Sequence, residues 1–270
     1  MRIAGISIAL LLLLGISIVM LTALQTQLLF PTNAVPSPGP LPASARPITV
    51  EAPGATLHGV HIPPSRPGSE KLLILGFGGN AWNGADVAAM LHDLFPQADA
   101  IAFHYRGYRP STGEPSAEAL LADAPFVLDE GQRLVSPERS VAVGLSIGSG
   151  VAAGLASTRR VDGLILVTPF DSLRAVAREM FPWVPAGLVA HEMDSAEALR
   201  KADVPVAVIA AERDDIISAA RSQALRRSIT ELRFDRTIAG AGHNDLYGRG
   251  EFRGAMTQAL QVLLDGEPPN

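Results

Sequence analysis

The chain has 270 residues, 47% apolar, 18% charged and 5% aromatic, a balance that suits a globular core and excludes disordered and fibrous chains. Its net charge of -5 gives no basic field to gather phosphates, so nucleic acid is not an expected partner. It contains no cysteine, which excludes thiolate nucleophiles, disulfides, iron–sulfur ligation and Cys-type zinc sites.

From Ile3 to Leu24 the chain runs 22 residues without a charge. As a helix that run would measure about 33 Å, against a hydrocarbon thickness of about 30 Å. It is longer than the apolar part of a cleavable signal, and the nearest small-x-small site, Ala43-Ser44-Ala45, comes about twenty residues too late. Residues 1–30 are therefore expected to form an uncleaved transmembrane signal anchor. Arg2 precedes the run and the next basic residue is Arg46, so the positive-inside bias puts the N-terminus in the cytoplasm. The folded part would then face the periplasm or the cell exterior, and would be secreted if the segment were cleaved. Residues 31–47 carry six prolines among Ser, Ala, Gly and Asn, which predicts an extended linker rather than packed structure. On this reading a separate domain, residues 48–270, begins near Arg46.

Within the domain, Ile48 to Glu51 and Thr56 to Ile62 flank Pro53-Gly54 and read as a hairpin. Apolar runs then follow at Leu72–Phe77, Ala100–His104, Val141–Leu145, Gly163–Thr168 and Val206–Ala210, with a weaker one at Leu232–Ile238. The stretches between them, such as Ser116 to Leu134 and Ile147 to Ser157, have helical apolar spacing. Buried runs alternating with helices predict an α/β fold, a mostly parallel sheet with helices on both faces. Such sheets bind ligands beyond the carboxyl ends of their strands, so chemistry is to be sought just after each run.

After the third run stands Gly144-Leu145-Ser146-Ile147-Gly148, a G-x-S-x-G pattern between strand and helix. A sharp elbow there would hold Ser146 in a strained conformation with its hydroxyl exposed, while the Ile147 amide at the helix start faces any charge forming beside it. A serine hydroxyl needs a base, and the base needs an acid to orient it. Of six histidines, His243 lies in the glycine-rich loop Gly240-Ala241-Gly242-His243-Asn244-Asp245 after the last run. Histidines 58, 61, 92, 104 and 191 read as surface or core residues. Asp214 follows the fifth run and is the expected acid, with Asp215 as rival. The loop Phe77-Gly78-Gly79-Asn80 is expected to offer the Asn80 amide as a second donor opposite Ile147. It lacks both G-x-G-x-x-G and the Gly-Lys pair of a phosphate loop.

The order Ser146, Asp214, His243 is that of the α/β-hydrolase triad. Together with Tyr105-Arg106-Gly107-Tyr108, Ser111-Thr112-Gly113-Glu114-Pro115-Ser116 and Pro169-Phe170-Asp171-Ser172-Leu173, these segments resemble the α/β-hydrolase superfamily from about Val50 to Leu264. More narrowly they resemble its small-lid branch of membrane-anchored serine hydrolases. The resemblance implies Ser146 as nucleophile, His243 as base, Asp214 as acid and the Asn80 and Ile147 amides as oxyanion hole. It also implies a small lid at residues 170–203. Two readings stand for the apolar residues Met180, Phe181, Trp183, Val184 and Leu188 there: the lining of an acyl pocket, or ordinary packing against the sheet edge. Gly78-Gly79-Asn80 stands where relatives usually carry His-Gly-Asn, and Ala211 and Ser218 stand where they often have Gly and Pro. The expected activity is hydrolysis of a carboxylic ester or related small acyl compound, with neither metal nor organic cofactor. Acyl transfer or peptide hydrolysis by the same triad, or a silent binding protein on the same fold, are the alternatives.

Overall fold

Each run becomes all or most of a strand: alternate residues of an extended chain point to opposite faces, so the apolar runs are buried on both, whereas Leu232–Ile238 is buried only at Phe234 and Ile238. The computed structural model describes residue 15, residues 20–21 and residues 23–265. Among them is an eight-stranded sheet, ordered β1-β2-β4-β3-β5-β6-β7-β8. The strands are β1 (Arg46–Ala52), β2 (Ala55–Ile62), β3 (Leu72–Phe77), β4 (Asp99–Phe103), β5 (Arg139–Leu145), β6 (Gly163–Val167), β7 (Val206–Ala211) and β8 (Leu232–Ile238). β2 pairs antiparallel with β1 and β4, and all other pairs are parallel.

The helices are α1 (Gly84–Leu94), α2 (Ala117–Val135), α3 (Ile147–Ala156), α4 (Leu173–Met180), α5 (Ser195–Lys201), α6 (Ala219–Arg226) and α7 (Gly250–Asp265). In β3, Leu73, Leu75 and Phe77 join the core layer that holds Val127 of α2 and Val151 of α3. Leu72 and Ile74 join the opposite layer, with Leu91 of α1 and Leu260 of α7. Burial on both faces, at about 1.5–3 kcal/mol per large aliphatic side chain, makes these central strands the most heavily stabilised part of the molecule. Side-chain oxygens start the helices where the sequence places them: Asn83 caps α1, Ser116 caps α2, Ser172 caps α4 and Asp194 caps α5.

Strand order reverses at β3, with β4 on one side and β5 on the other. The loops leaving β3 and β5 consequently diverge to opposite faces, and a crevice opens between them.

The segment before β1 makes contacts that its composition does not announce. Most of the run Ile3–Leu24 lies outside the described residues, as do residues 266–270. Among the described residues no helix is long and apolar enough to cross a membrane. Residues 23–29 are helical and lead into Phe30, which is 2% exposed and part of the core. The proline-rich stretch is largely exposed, but it is tied to the domain at several points. Val35, Leu41 and Ala45 lie against the core, the Gly39 amide donates to Asp86 Oδ1 at 2.8 Å, and β1 begins within the stretch at Arg46. Proline prevents regular hydrogen bonding but leaves neighbouring apolar side chains free to touch the core.

Two histidines are carried into the core. Burial, with His58 nearby, lowers the pKa of His104, and burial lowers that of His191. Both rings are thus favoured neutral in the fold, while the unfolded chain protonates them near the ordinary value of 6.5. Their contribution to stability is complete above that value and is lost as pH falls through the lowered ones. Thermal unfolding between about pH 7.5 and pH 5 should show Tm falling with acidification, and falling less in the His191→Gln chain.

Candidate active site

The crevice is shaped by how closely α3 approaches the sheet. A Cβ on Gly148 would overlap the Phe77 carbonyl oxygen and stand 2.6 Å from that of Gly78. One on Gly144 would stand 2.6 Å from Ser149 Cα. Both glycines of the G-x-S-x-G pattern are therefore required by contact. Between them Ser146 adopts φ 53° and ψ -117°, outside the regions open to ordinary residues, which costs on the order of 1–3 kcal/mol. Its amide donates to the Val167 carbonyl at 2.9 Å, and Ser149 Oγ donates to its carbonyl at 2.6 Å. The strained turn is held from both sides, and the Ser146 hydroxyl faces the crevice.

His243 arrives on the loop after β8. Gly242 N donates to Asp245 Oδ1 at 2.6 Å, and Arg249 binds Asp245 Oδ2 at 2.6 Å and the Gly240 carbonyl at 2.8 Å. Asp245 is held below the usual carboxylate range, chiefly by Arg249. The His243 ring is 4% exposed. Its Nε2 lies 3.0 Å from Ser146 Oγ, and its Nδ1 lies 2.9 and 2.8 Å from the Asp214 oxygens. A carboxylate only accepts, so Nδ1 carries the proton and donates to Asp214, leaving Nε2 to accept from the serine hydroxyl. Asp214 Oδ1 also accepts from the amides of Ile216 and Ile217, at 3.0 and 2.7 Å. The rival, Asp215, is exposed and makes no contact with the ring. The structure thus brings Ser146, His243 and Asp214 into one hydrogen-bonded line.

Asn80 and Ile147 both line the same cleft as Ser146 and His243. Neither backbone amide donates to another group among the described residues. Ile147 is the first residue of α3, where helical geometry offers an amide no partner. The β3 loop is fastened by two residues whose reach the sequence does not reveal. Tyr105 Oη donates to the Gly78 carbonyl at 2.8 Å, and Tyr108 Oη donates to that of Asn80. Burial raises both phenols, which keeps them protonated as donors. Their own segment is tied down by Arg106, which pairs with buried Asp123 and donates to the Pro53 carbonyl at 3.1 Å. A tyrosine pair beside an Arg-Gly step was the available signal, but contact across 27 residues of chain is decided only by the β3–β4 pairing.

The cleft holds about 240 Å³. Trp82 and Tyr247 form one side, packed edge to face at 4.8 Å. Burial pushes Tyr247 up to about 12. The segment 170–203 forms another side, its ends joined where Ser172 pairs with Asp194. Of the five apolar residues with two readings, Met180, Phe181 and Val184 line the cleft. Trp183, 74% exposed, and Leu188 lie outside the lining, whereas Val189 belongs to it. No cluster of three or more metal-ligating side chains occurs among the described residues.

The approach of α3 is testable. Gly148→Ala must push α3 off the Phe77 and Gly78 carbonyls, so stability should fall by about 1–3 kcal/mol in urea unfolding. Turnover of any substrate attacked by Ser146 should fall by about a hundredfold, since a displacement near 1 Å suffices for that.

No family model matches the chain. Its sequence is 35% identical over 222 residues to the uncharacterized protein Rv2307c of Mycobacterium tuberculosis, covering 78% of each chain. Among solved structures, an alpha-beta hydrolase from Vibrio vulnificus superposes with a TM-score of 0.69 at 17% identity, covering 91% of this chain and 92% of that one. An esterase from Pyrococcus furiosus superposes with a TM-score of 0.67 at 14% identity, covering 85% of this chain and 97% of that one. By its sheet order and these likenesses the chain has the α/β-hydrolase fold, and it belongs to one family with the mycobacterial protein.

Proposed function

We propose that this protein is a serine hydrolase that cleaves carboxylic esters or related acyl compounds through an acyl-enzyme. The observation that carries the reading is the line from Asp214 through His243 to Ser146, closed by contacts of 2.8 and 3.0 Å, at the mouth of an apolar cleft. In the forward step His243 Nε2 takes the hydroxyl proton as Ser146 Oγ bonds to the acyl carbon. The carbonyl oxygen becomes an oxyanion beside the unengaged amides of Ile147 and Asn80, where donors aimed at developing charge favour the transition state. The proton then passes from Nε2 to the leaving alkoxide, and water enters. His243 activates that water against the acyl-enzyme, releasing the acid and restoring Ser146. Asp214 holds Nδ1–H throughout and favours the ring while it carries the extra proton.

The uncharged run Ile3–Leu24 supports a second part of the reading, that the enzyme is anchored to a membrane by its N-terminus with the catalytic domain on the outer side. The volume of the cleft, about 240 Å³, falls below the ~300–1,000 Å³ of sites for drug-sized ligands and favours short to medium acyl groups.

Ser146→Ala should lower hydrolysis of p-nitrophenyl butyrate by at least about ten-thousand-fold with the fold intact by circular dichroism, and should abolish labelling by a fluorophosphonate probe. A mutant retaining a few per cent of turnover would remove the central assignment. Across p-nitrophenyl esters, kcat/KM should rise by about fourfold per added methylene while the chain stays buried, then decline once it outgrows the cleft. A continued rise into long-chain esters would contradict the small cleft.

A further inference from the structure

One side of the cleft is built from chain that precedes the α/β core. Gln25, Leu28 and Leu29 line it together with Ser146 and His243. They stand at positions i, i+3 and i+4 of the helical residues 23–29, hence on one face of that helix. Gln25 directly follows the run Ile3–Leu24, and its side-chain amide bridges two backbone groups of the segment 170–203. Its Nε2 donates to the Leu188 carbonyl at 2.8 Å, and its Oε1 accepts from the Ala190 amide at 2.9 Å. The adjoining face is attached to His191. Thr26 Oγ1 lies 2.7 Å from His191 Nε2, and the Phe30 ring meets the imidazole edge to face at 5.3 Å. His191 Nδ1 is buried with no partner among the described residues, so the ring proton belongs on Nε2, donating to Thr26.

We infer that residues 25–30 are a specificity-determining wall of the acyl cleft, with Gln25 as the positioning residue that locks this wall to the segment 170–203. The inference rests on the hydrolase reading for its chemistry and on the cleft's own geometry for its location. Leu28 and Leu29 present apolar surface that an acyl chain on Ser146 would cover, in the same cleft as Val176 and Met180. Gln25 presents no group to the acyl carbonyl. Its two bonds set the distance between the walls, and so it acts through the width of the cleft. The acyl length that this enzyme prefers would then depend on chain outside the α/β core.

The test uses the full-length protein in detergent, with Gln25→Ala, Leu29→Ala and, as a control on the exposed face of the same helix, Gln27→Ala. The ratio of kcat/KM for p-nitrophenyl octanoate to that for the acetate should fall by at least about fourfold in the first two, the loss of one methylene's worth of burial, with the change in KM rather than kcat. The control should keep the wild-type ratio. Removal of residues 1–45 would also strip Phe30 from the core, so the point variants decide the matter. Decanoate binding, followed through Trp82 fluorescence, gives a readout that needs no turnover, and its dissociation constant should rise in the same two variants. A wild-type protein that hydrolyses no ester and takes no fluorophosphonate defeats the hydrolase reading, and the decanoate titration still judges the wall. Unchanged ester ratios, unchanged decanoate affinity in the variants, or no decanoate binding by an inactive wild type would overturn the inference.

Discussion

The site depends on a single close contact, the packing of the first turn of α3 against the carbonyls that end β3. Gly148 has no room for even a methyl group between α3 and the Phe77 and Gly78 oxygens. That proximity carries the Ile147 amide toward the β3 loop and leaves Ser146 at a positive φ, between a helix that cannot move inward and a sheet that cannot yield. The strain persists because the surroundings over-determine it. β5 is buried along nearly its whole length, and both the amide and the carbonyl of Ser146 are bonded. A serine at a relaxed turn would have no reason to present its hydroxyl outward.

The remaining parts are arranged by the loops at the carboxyl ends of neighbouring strands, each stiffened by its own polar contacts. Asp214 is oriented by the amides of Ile216 and Ile217 before it meets the imidazole. The His243 loop is closed on itself by Asp245 and Arg249. The β3 loop is held through its carbonyls by Tyr105 and Tyr108, and these in turn depend on the Arg106–Asp123 pair. Each device spends hydrogen bonds on backbone groups rather than on a substrate, which is how a site on mobile loop chemistry acquires the stiffness of its scaffold.

The N-terminal segment gives the cleft a wall that the core lacks. Phe30 is buried with the core, and Gln25 and Thr26 are bonded to the stretch Leu188–His191. A glutamine side chain that satisfies one donor and one acceptor of the same passing backbone holds it as a neighbouring strand would, without requiring either segment to be a strand.

The sequence by itself determined the sheet and the strand ends after which Ser146, Asp214 and His243 stand. Runs such as Leu72–Phe77 and Leu232–Ile238 are strands from end to end, because side-chain period and apolar content are local properties. The turn at Ser146 was equally legible, since the steric need for glycine is written at the residues that feel it. What tertiary structure decided were relations between distant segments. Asp214 was the expected acid, but Asp215 was excluded only by the turn after β7, where Asp214 accepts from the Ile216 and Ile217 amides and meets His243. Trp183 faces solvent although its neighbours Phe181 and Val184 line the cleft, and Val35, Leu41 and Ala45 touch the core from a stretch whose composition does not announce it. Packing depends on which surfaces are left uncovered once the sheet has formed, and that is a property of the whole fold rather than of any window of the chain.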